Sequence, residues 1–201
     1  MEPLQEFREY ISMHAGITPE QWAQIAALLQ EKTVAKGSIL LRQGDICSDV
    51  FFVAAGLLRS YTVDDAGKEH ILQFSPENWW IADRNSYFYG EPSLFFVDAI
   101  EDSRVVLLSH EFEARMEELV PGYTRFNTMA LHNSIRFMQR RINQLLSADA
   151  EERYLDFINL YPNVTLRVPQ WMIASYLGIT PESLSRVRRE LARRNFKPHR
   201  D

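Results

Sequence analysis

Four polar side chains near the C-terminus, Glu182, Ser185, Arg186 and Arg189, recur at i, i+3, i+4 and i+7, the spacing that lines up residues along one face of a helix. A stripe of this kind can read base-pair edges. The Arg186 guanidinium can donate two hydrogen bonds to a guanine, the Glu182 carboxylate can accept from the amino group of a cytosine, and Ser185 and Arg189 extend the same face. Thr180 at the start of that helix and Arg188, Arg193, Arg194 and Lys197 around it are suited to backbone phosphates, contacts that hold DNA without regard to sequence. Nothing comparable points to catalysis. The chain has no phosphate-cradling glycine loop, no His-x-His, no visible Ser-His-Asp set and no paired run of metal ligands, so neither an enzyme nor a metal or other cofactor is expected.

Presenting such a face requires a scaffold that buries the opposite one. Residues 170–191, QWMIASYLGITPESLSRVRREL, have the pattern of a helix-turn-helix. Ile173, Leu177, Ile179, Leu184 and Val187 fall where two short helices pack together, and Ala174 is small where they cross. Gly178 occupies the tight turn, which calls for a left-handed backbone, and Thr180-Pro181 is a helix start. Upstream, Leu131, Ile135, Met138, Ile142 and Leu145 are spaced 4, 3, 4 and 3 along a helix expected over residues 124–146, the rhythm of a two-helix dimer seam. A second line, Phe126, Ala130 and Phe137, is available for packing within the chain. Another helix is expected from Ser147, with Glu151 near its start, to Leu160, followed by a short strand over residues 165–168 that would supply any wing.

The first 30 residues read as helix in two pieces broken near His14-Ala15-Gly16, with Thr18, Pro19 and Gln21 forming a capping box at the restart. From Lys36 short apolar runs separated by glycines are strand-like: residues 38–43, 50–56, 57–63, 70–74, 95–100 and 104–108, with a hairpin turn at Asp65-Ala66-Gly67-Lys68. An antiparallel barrel or jelly roll is expected, then a short helix over residues 110–120. The fold class is α+β. Three parts follow: a barrel domain with flanking helices over residues 1–120, a dimerisation helix over 121–146 and a helix-turn-helix domain over 147–201.

Composition agrees with a globular chain. Of 201 residues, 46% are hydrophobic and 24% charged, which excludes disorder along most of the length. The longest stretch without a polar residue, positions 50–58, is too short for a spanning helix, and the N-terminus lacks the layout of a secretion signal, so the expected location is the cytoplasm, away from membranes. One cysteine, Cys47, rules out an intrachain disulfide and a cluster held by four cysteines. The net charge of −5 conceals two opposite parts: residues 1–135 hold 10 basic against 20 acidic side chains, residues 136–201 hold 12 against 7. The basic end is the one that carries the helix-turn-helix, as a polyanion partner requires.

With the glycine rhythm of KGSILLRQGD, FFVAAGLLRSY and DDAGKEHILQF and the segment LGITPESLSRVRREL, the chain resembles the family of the cyclic-AMP receptor protein and the fumarate-nitrate regulator (CRP/FNR). The resemblance covers nearly the whole chain. It implies a cyclic-nucleotide-binding-type domain, a long dimer helix, a homodimer bound to double-stranded DNA and RNA polymerase as a further partner. The base-reading Glu, Ser and Arg of the fumarate-nitrate regulator branch fall on Glu182, Ser185 and Arg186. The family's phosphate cassette falls on Ala82-Asp83 and Ser93-Leu94, where the expected Gly-Glu and Arg-Ser are missing, so cyclic AMP is not the expected effector. The effector itself stays unknown. A pocket there would involve Trp79, Trp80, Asp83, Arg84 and Ser93, with Tyr87, Phe88 and Tyr89 either filling it or stacking a flat ligand. The rival reading is a sensor or adaptor whose C-terminal helices bind protein instead of DNA.

Overall fold

The computed structural model describes residues 3–195, which fall into two compact units divided after Ser134. The first begins with α1 (Pro3–Ala15) and α2 (Pro19–Ile25). Gly16 separates them in a left-handed conformation, and the Thr18 hydroxyl and Gln21 side chain close the expected reciprocal cap on α2. Eight strands follow: β1 (Gln30–Val34), β2 (Ile39–Leu41), β3 (Asp49–Ala55), β4 (Leu58–Val63), β5 (Glu69–Ser75), β6 (Trp80–Ile81), β7 (Phe96–Ala99) and β8 (Ser103–Ser109). A short helix, α3 (Arg84–Tyr89), lies between β6 and β7, and α4 (His110–Leu119) follows β8.

The strands form two antiparallel four-stranded sheets, in the orders β1-β8-β3-β6 and β2-β7-β4-β5. This is a jelly-roll arrangement of two open sheets, and the closed barrel among the expectations does not form. Strands from both sheets and the faces of α1, α4 and the start of the following helix share one core, which includes Phe7, Ile11, Phe52, Val97, Val106, Phe112 and Tyr123. Phe7, Phe52 and Phe112 are wholly buried, each contributing about 1.5–3 kcal/mol of transfer free energy, enough to dock α1 against β3. Gly56, between β3 and β4, has φ +95°, and a Cβ there would lie 2.3 Å from Ser103 Oγ, so no other residue fits that hairpin.

Three elements are not visible in the sequence pattern. The strand β1 reads QEKTV and is exposed over four of its five residues, so it lacks the alternation that announces a half-buried strand. It is specified by its partner β8, in a register running from Gln30↔Leu107 to Val34↔Ser103. The two-residue strand β6 depends in the same way on β3, and α3 is started by the Asp83 cap.

The helix α5 (Tyr123–Ser147) begins in the first unit and ends in the second. In the second unit it is followed by α6 (Ala150–Leu160), α7 (Gln170–Leu177) and α8 (Pro181–Asn195). Two expectations fail here. Ser147 does not start α6; it ends α5, its hydroxyl donating to Asn143 O, and Asp149 caps α6 in a box with Glu152. Residues 165–168 are not a strand, because no strand of the second unit is described that could pair with them. Instead Arg167 N and Val168 N both donate to Val164 O, which closes a tight turn around Val164–Leu166.

Candidate nucleic-acid interface

The helix α8 is pinned by one face and open on the other. Leu184 and Val187 are buried, Leu191 is half-buried, and α7 contributes buried Ile173, Ala174 and Leu177 to the same contact. Gly178 closes α7 with φ 66° and ψ 34°, and an added Cβ would come within 3.2 Å of Leu145 Cδ2. Its left-handed turn strains any larger residue, and its closeness to α5 would make Leu145 give way as well. Thr180 then caps α8: its hydroxyl accepts from Ser183 N at 3.2 Å, and its carbonyl accepts from Leu184 N at 3.0 Å.

On the open face Glu182, Ser185, Arg186 and Arg189 are all exposed and share one stripe, as their spacing predicts. The Glu182 carboxyl is held below the usual carboxylate range by its own backbone amide and by the Thr180 hydroxyl. It is therefore an acceptor at neutral pH, the state needed to meet an amino group. Gln170, Pro181, Ser185, Arg188 and Arg189 surround a depression of about 340 Å³. Arg188 and Arg193 are exposed, whereas Arg194 already pairs with Glu151 at the start of α6, so a phosphate would have to replace that carboxylate. Lys197 lies outside the described residues.

Along α5, Ile135, Met138, Ile142 and Leu145 are between 42% and 58% exposed, and Leu131 is half-buried. That is a long apolar line for a helix to leave in water. Phe126, from the second apolar line, packs against the core of the first unit.

The five residues expected around an effector turn to different partners. Asp83 and Ser93 do meet. The Asp83 carboxylate is buried and accepts from Ser86 N at 3.1 Å, Ser93 Oγ at 2.9 Å and Leu94 N at 3.1 Å, so it serves as the cap of α3 and a tie to the following loop. Trp80 turns to α1 instead: its ring packs against Phe7 and Phe52, and its Nε1 donates to Tyr10 Oη at 3.3 Å. Trp79 is half-buried, and its carbonyl accepts from Val53 N at 2.9 Å. The Arg84 guanidinium lies 5.5 Å from the Phe88 ring and acts electrostatically on Glu113 and Tyr123. Nor do the aromatics of α3 plug a pocket. Tyr87 is buried with its ring stacked on His110 at 3.8 Å, but Phe88 and Tyr89 are 51% and 77% exposed.

A polar cluster that the residue pattern did not reveal sits on β4. Arg59 is buried and bidentate to Asp98, at 2.7 and 2.8 Å, with a third bond to Glu69 at 2.5 Å. Burial works against its charge, and the two carboxylates outweigh that effect and raise its pKa. Arg59 and Asp98 are register partners across β4 and β7, a relation that only the pairing of the strands supplies. Among the described residues no group of three or more His, Cys, Asp or Glu is placed to hold a metal ion. No described helix is long and apolar enough to cross a membrane.

A cyclic-nucleotide-binding-type jelly roll followed by a helix-turn-helix with an exposed basic face defines a DNA-binding transcription regulator. The cyclic nucleotide-binding domain family matches residues 31–118. Among curated relatives, the transcriptional activator protein FnrA of Stutzerimonas stutzeri is 29% identical over 169 residues, covering 78% of this chain and 68% of its own length. The anaerobic regulatory protein of Aggregatibacter actinomycetemcomitans is 25% identical, covering 79% of this chain and 65% of its own length, so the chain spans about two thirds of these relatives. The solved structure of FixK2 from Bradyrhizobium japonicum shares the fold, with a TM-score of 0.72 at 20% identity over 86% of this chain and 90% of that one. Residues 31–118 thus match a cyclic nucleotide-binding domain, and about four fifths of the chain is similar to transcription regulators of the FNR kind.

Proposed function

We propose that the chain acts in the cytoplasm as a homodimer that reads a two-fold-symmetric site in double-stranded DNA, one α8 per half-site, with the two reading helices about 34 Å apart. The observation that carries this reading is the exposed stripe of Glu182, Ser185, Arg186 and Arg189 on a helix whose opposite side is buried. Those four side chains read bases. Thr180, Arg188, Arg193, Arg194 and Lys197 hold phosphates, Arg194 by exchanging Glu151 for DNA. The exposed line from Leu131 to Leu145 is the dimer seam, since pairing it with a second copy removes from water the apolar surface that a lone helix leaves exposed. In this arrangement residues 1–120 are the sensor domain, 121–146 the dimerisation helix and 147–201 the DNA-binding domain.

The effector of the sensor domain, where there is one, is proposed not to be cyclic AMP. A cyclic phosphate entering the jelly roll needs charge-assisted bonds to offset its desolvation. Asp83 and Ser93, at the cassette positions, are bonded to each other, and Arg59 is already occupied by two carboxylates. RNA polymerase is the further partner that a regulator of this kind engages.

Selection of bound fragments from random duplex DNA tests the reading. A palindromic consensus with half-sites one helical turn apart is expected, and retention on heparin should fall steeply with salt. No binding to any duplex at low salt would favour the adaptor reading.

A further inference from the structure

We infer that Arg141 is a positioning residue which, with Arg153, fixes the angle of the reading helix and so governs discrimination between DNA sequences, a role that rests on α8 being that helix. The last four carbonyls of any helix lack helical partners. In α7 two of them are met locally: Ile179 N donates to Ala174 O at 3.0 Å and Gly178 N to Ser175 O at 3.1 Å, the bond pair that accompanies a left-handed glycine. The other two belong to Tyr176 and Leu177. Each receives a guanidinium from a different helix. Arg141 Nη2 on α5 donates to Tyr176 O at 3.1 Å, and Arg153 Nη1 on α6 donates to Leu177 O at 2.7 Å. Both positive charges lie at the negative end of the α7 dipole.

The clamp is held rigidly. The Arg141 guanidinium carbon is 3.9 Å from the centroid of the Tyr176 ring, so the same residue that accepts its hydrogen bond also stacks against its plane. The Tyr176 ring is buried and packed against Phe157 of α6 and Tyr161 just after it. Arg153 is fixed by Asp149 O, 3.3 Å from its Nε. Leu145, one turn after Arg141, lies against the position a Gly178 side chain would take. Only Gly178, Ile179 and Thr180 separate this clamped end from the start of α8, so a displacement of the Tyr176 carbonyl reaches the reading face with little slack. A lysine at position 141 keeps the charge but has no plane to stack while it donates. The seam helix α5 thus holds the reading head by a contact that need not touch DNA.

The test uses the full chain, a duplex selected by the wild type and a scrambled duplex of the same length. Arg141→Lys should lower the ratio of the two affinities about tenfold, while scrambled-duplex affinity stays within about twofold and the salt slope is unchanged. Arg153→Lys, which loosens the clamp from α6, should give the same pattern. A folded Arg141→Lys protein with the wild-type ratio would overturn the inference. So would equal losses on both duplexes, which would make the position a general structural one or a phosphate contact. If Arg141→Lys does not fold, Arg153→Lys decides by the same criteria. Failure of the wild type to prefer any duplex counts against α8 as the reading helix, whereas a selective wild type with unaltered clamp variants removes the clamp alone.

Discussion

Arg186 and Arg188 are two residues apart on α8 and both exposed, yet their roles should differ. Arg186 lies on the stripe with Glu182 and Ser185, so Arg186→Ala is expected to cost about 1–3 kcal/mol and to relax preference at one base pair of each half-site. Arg188→Ala should instead weaken all sequences alike and reduce the salt slope by about one. Competition binding on a panel of single-base variants separates them, and identical, sequence-blind losses would show that Arg186 touches only phosphate. A second residue-scale expectation concerns Glu113 on α4. Burial raises its pKa, with the Tyr87 hydroxyl and the Arg84 charge pulling partly the other way. A folded pKa above the unfolded value of about 4.3 means that folding favours the protonated form; that contribution is complete below about pH 4.3 and is lost as pH rises through the folded value. Glu113→Gln should therefore melt higher than wild type at pH 7, the gap closing toward pH 4. A lower melting temperature at pH 7 would show that the ionised group is the stabilising one.

At the scale of elements, the proposed dimer rests on α5. Ile135 and Ile142 are 51% and 58% exposed in a single chain. If they face a partner helix, changing both to Asp buries unpaired charge on each side of the seam, and sedimentation should report monomers. A double variant that still sediments as a dimer would place the interface elsewhere. Elements were legible in the sequence according to how local their causes are. The start of α2 needs only Thr18, Pro19 and Gln21, and the α7–α8 turn needs only Gly178 and Thr180, so both were readable from a few adjacent residues. The strand β1 was not, because QEKTV is exposed on four of five positions and is ordered by β8, which lies more than 60 residues away. Residues 165–168 erred in the opposite direction: a β-branched, apolar composition suggests a strand, but a strand without a partner leaves its amides unmet, and a local turn satisfies them instead.

For the whole molecule, the expectation is that cyclic nucleotides do not control DNA binding. Titration calorimetry with cyclic AMP and cyclic GMP should show no saturable heat at micromolar ligand, and affinity for a selected duplex should not change. Micromolar binding abolished by Arg84→Ala or Arg59→Ala would restore a nucleotide-sensing mechanism. The order of the elements, the helix-turn-helix, its exposed polar stripe and the heptad line are written in caps, glycines and periodicities within about two dozen residues, so they were readable before any packing was known. The family resemblance also implies which cassette residues are absent. Only strand pairing and packing show that Asp83 bonds Ser93, that Trp80 turns to α1 and that Arg59 binds Asp98 across neighbouring strands. The same holds for the guanidinium clamp on Tyr176 O and Leu177 O. A backbone carbonyl is present at every residue, so nothing in a sequence marks which one an arginine will find; that choice follows only from how the helices pack.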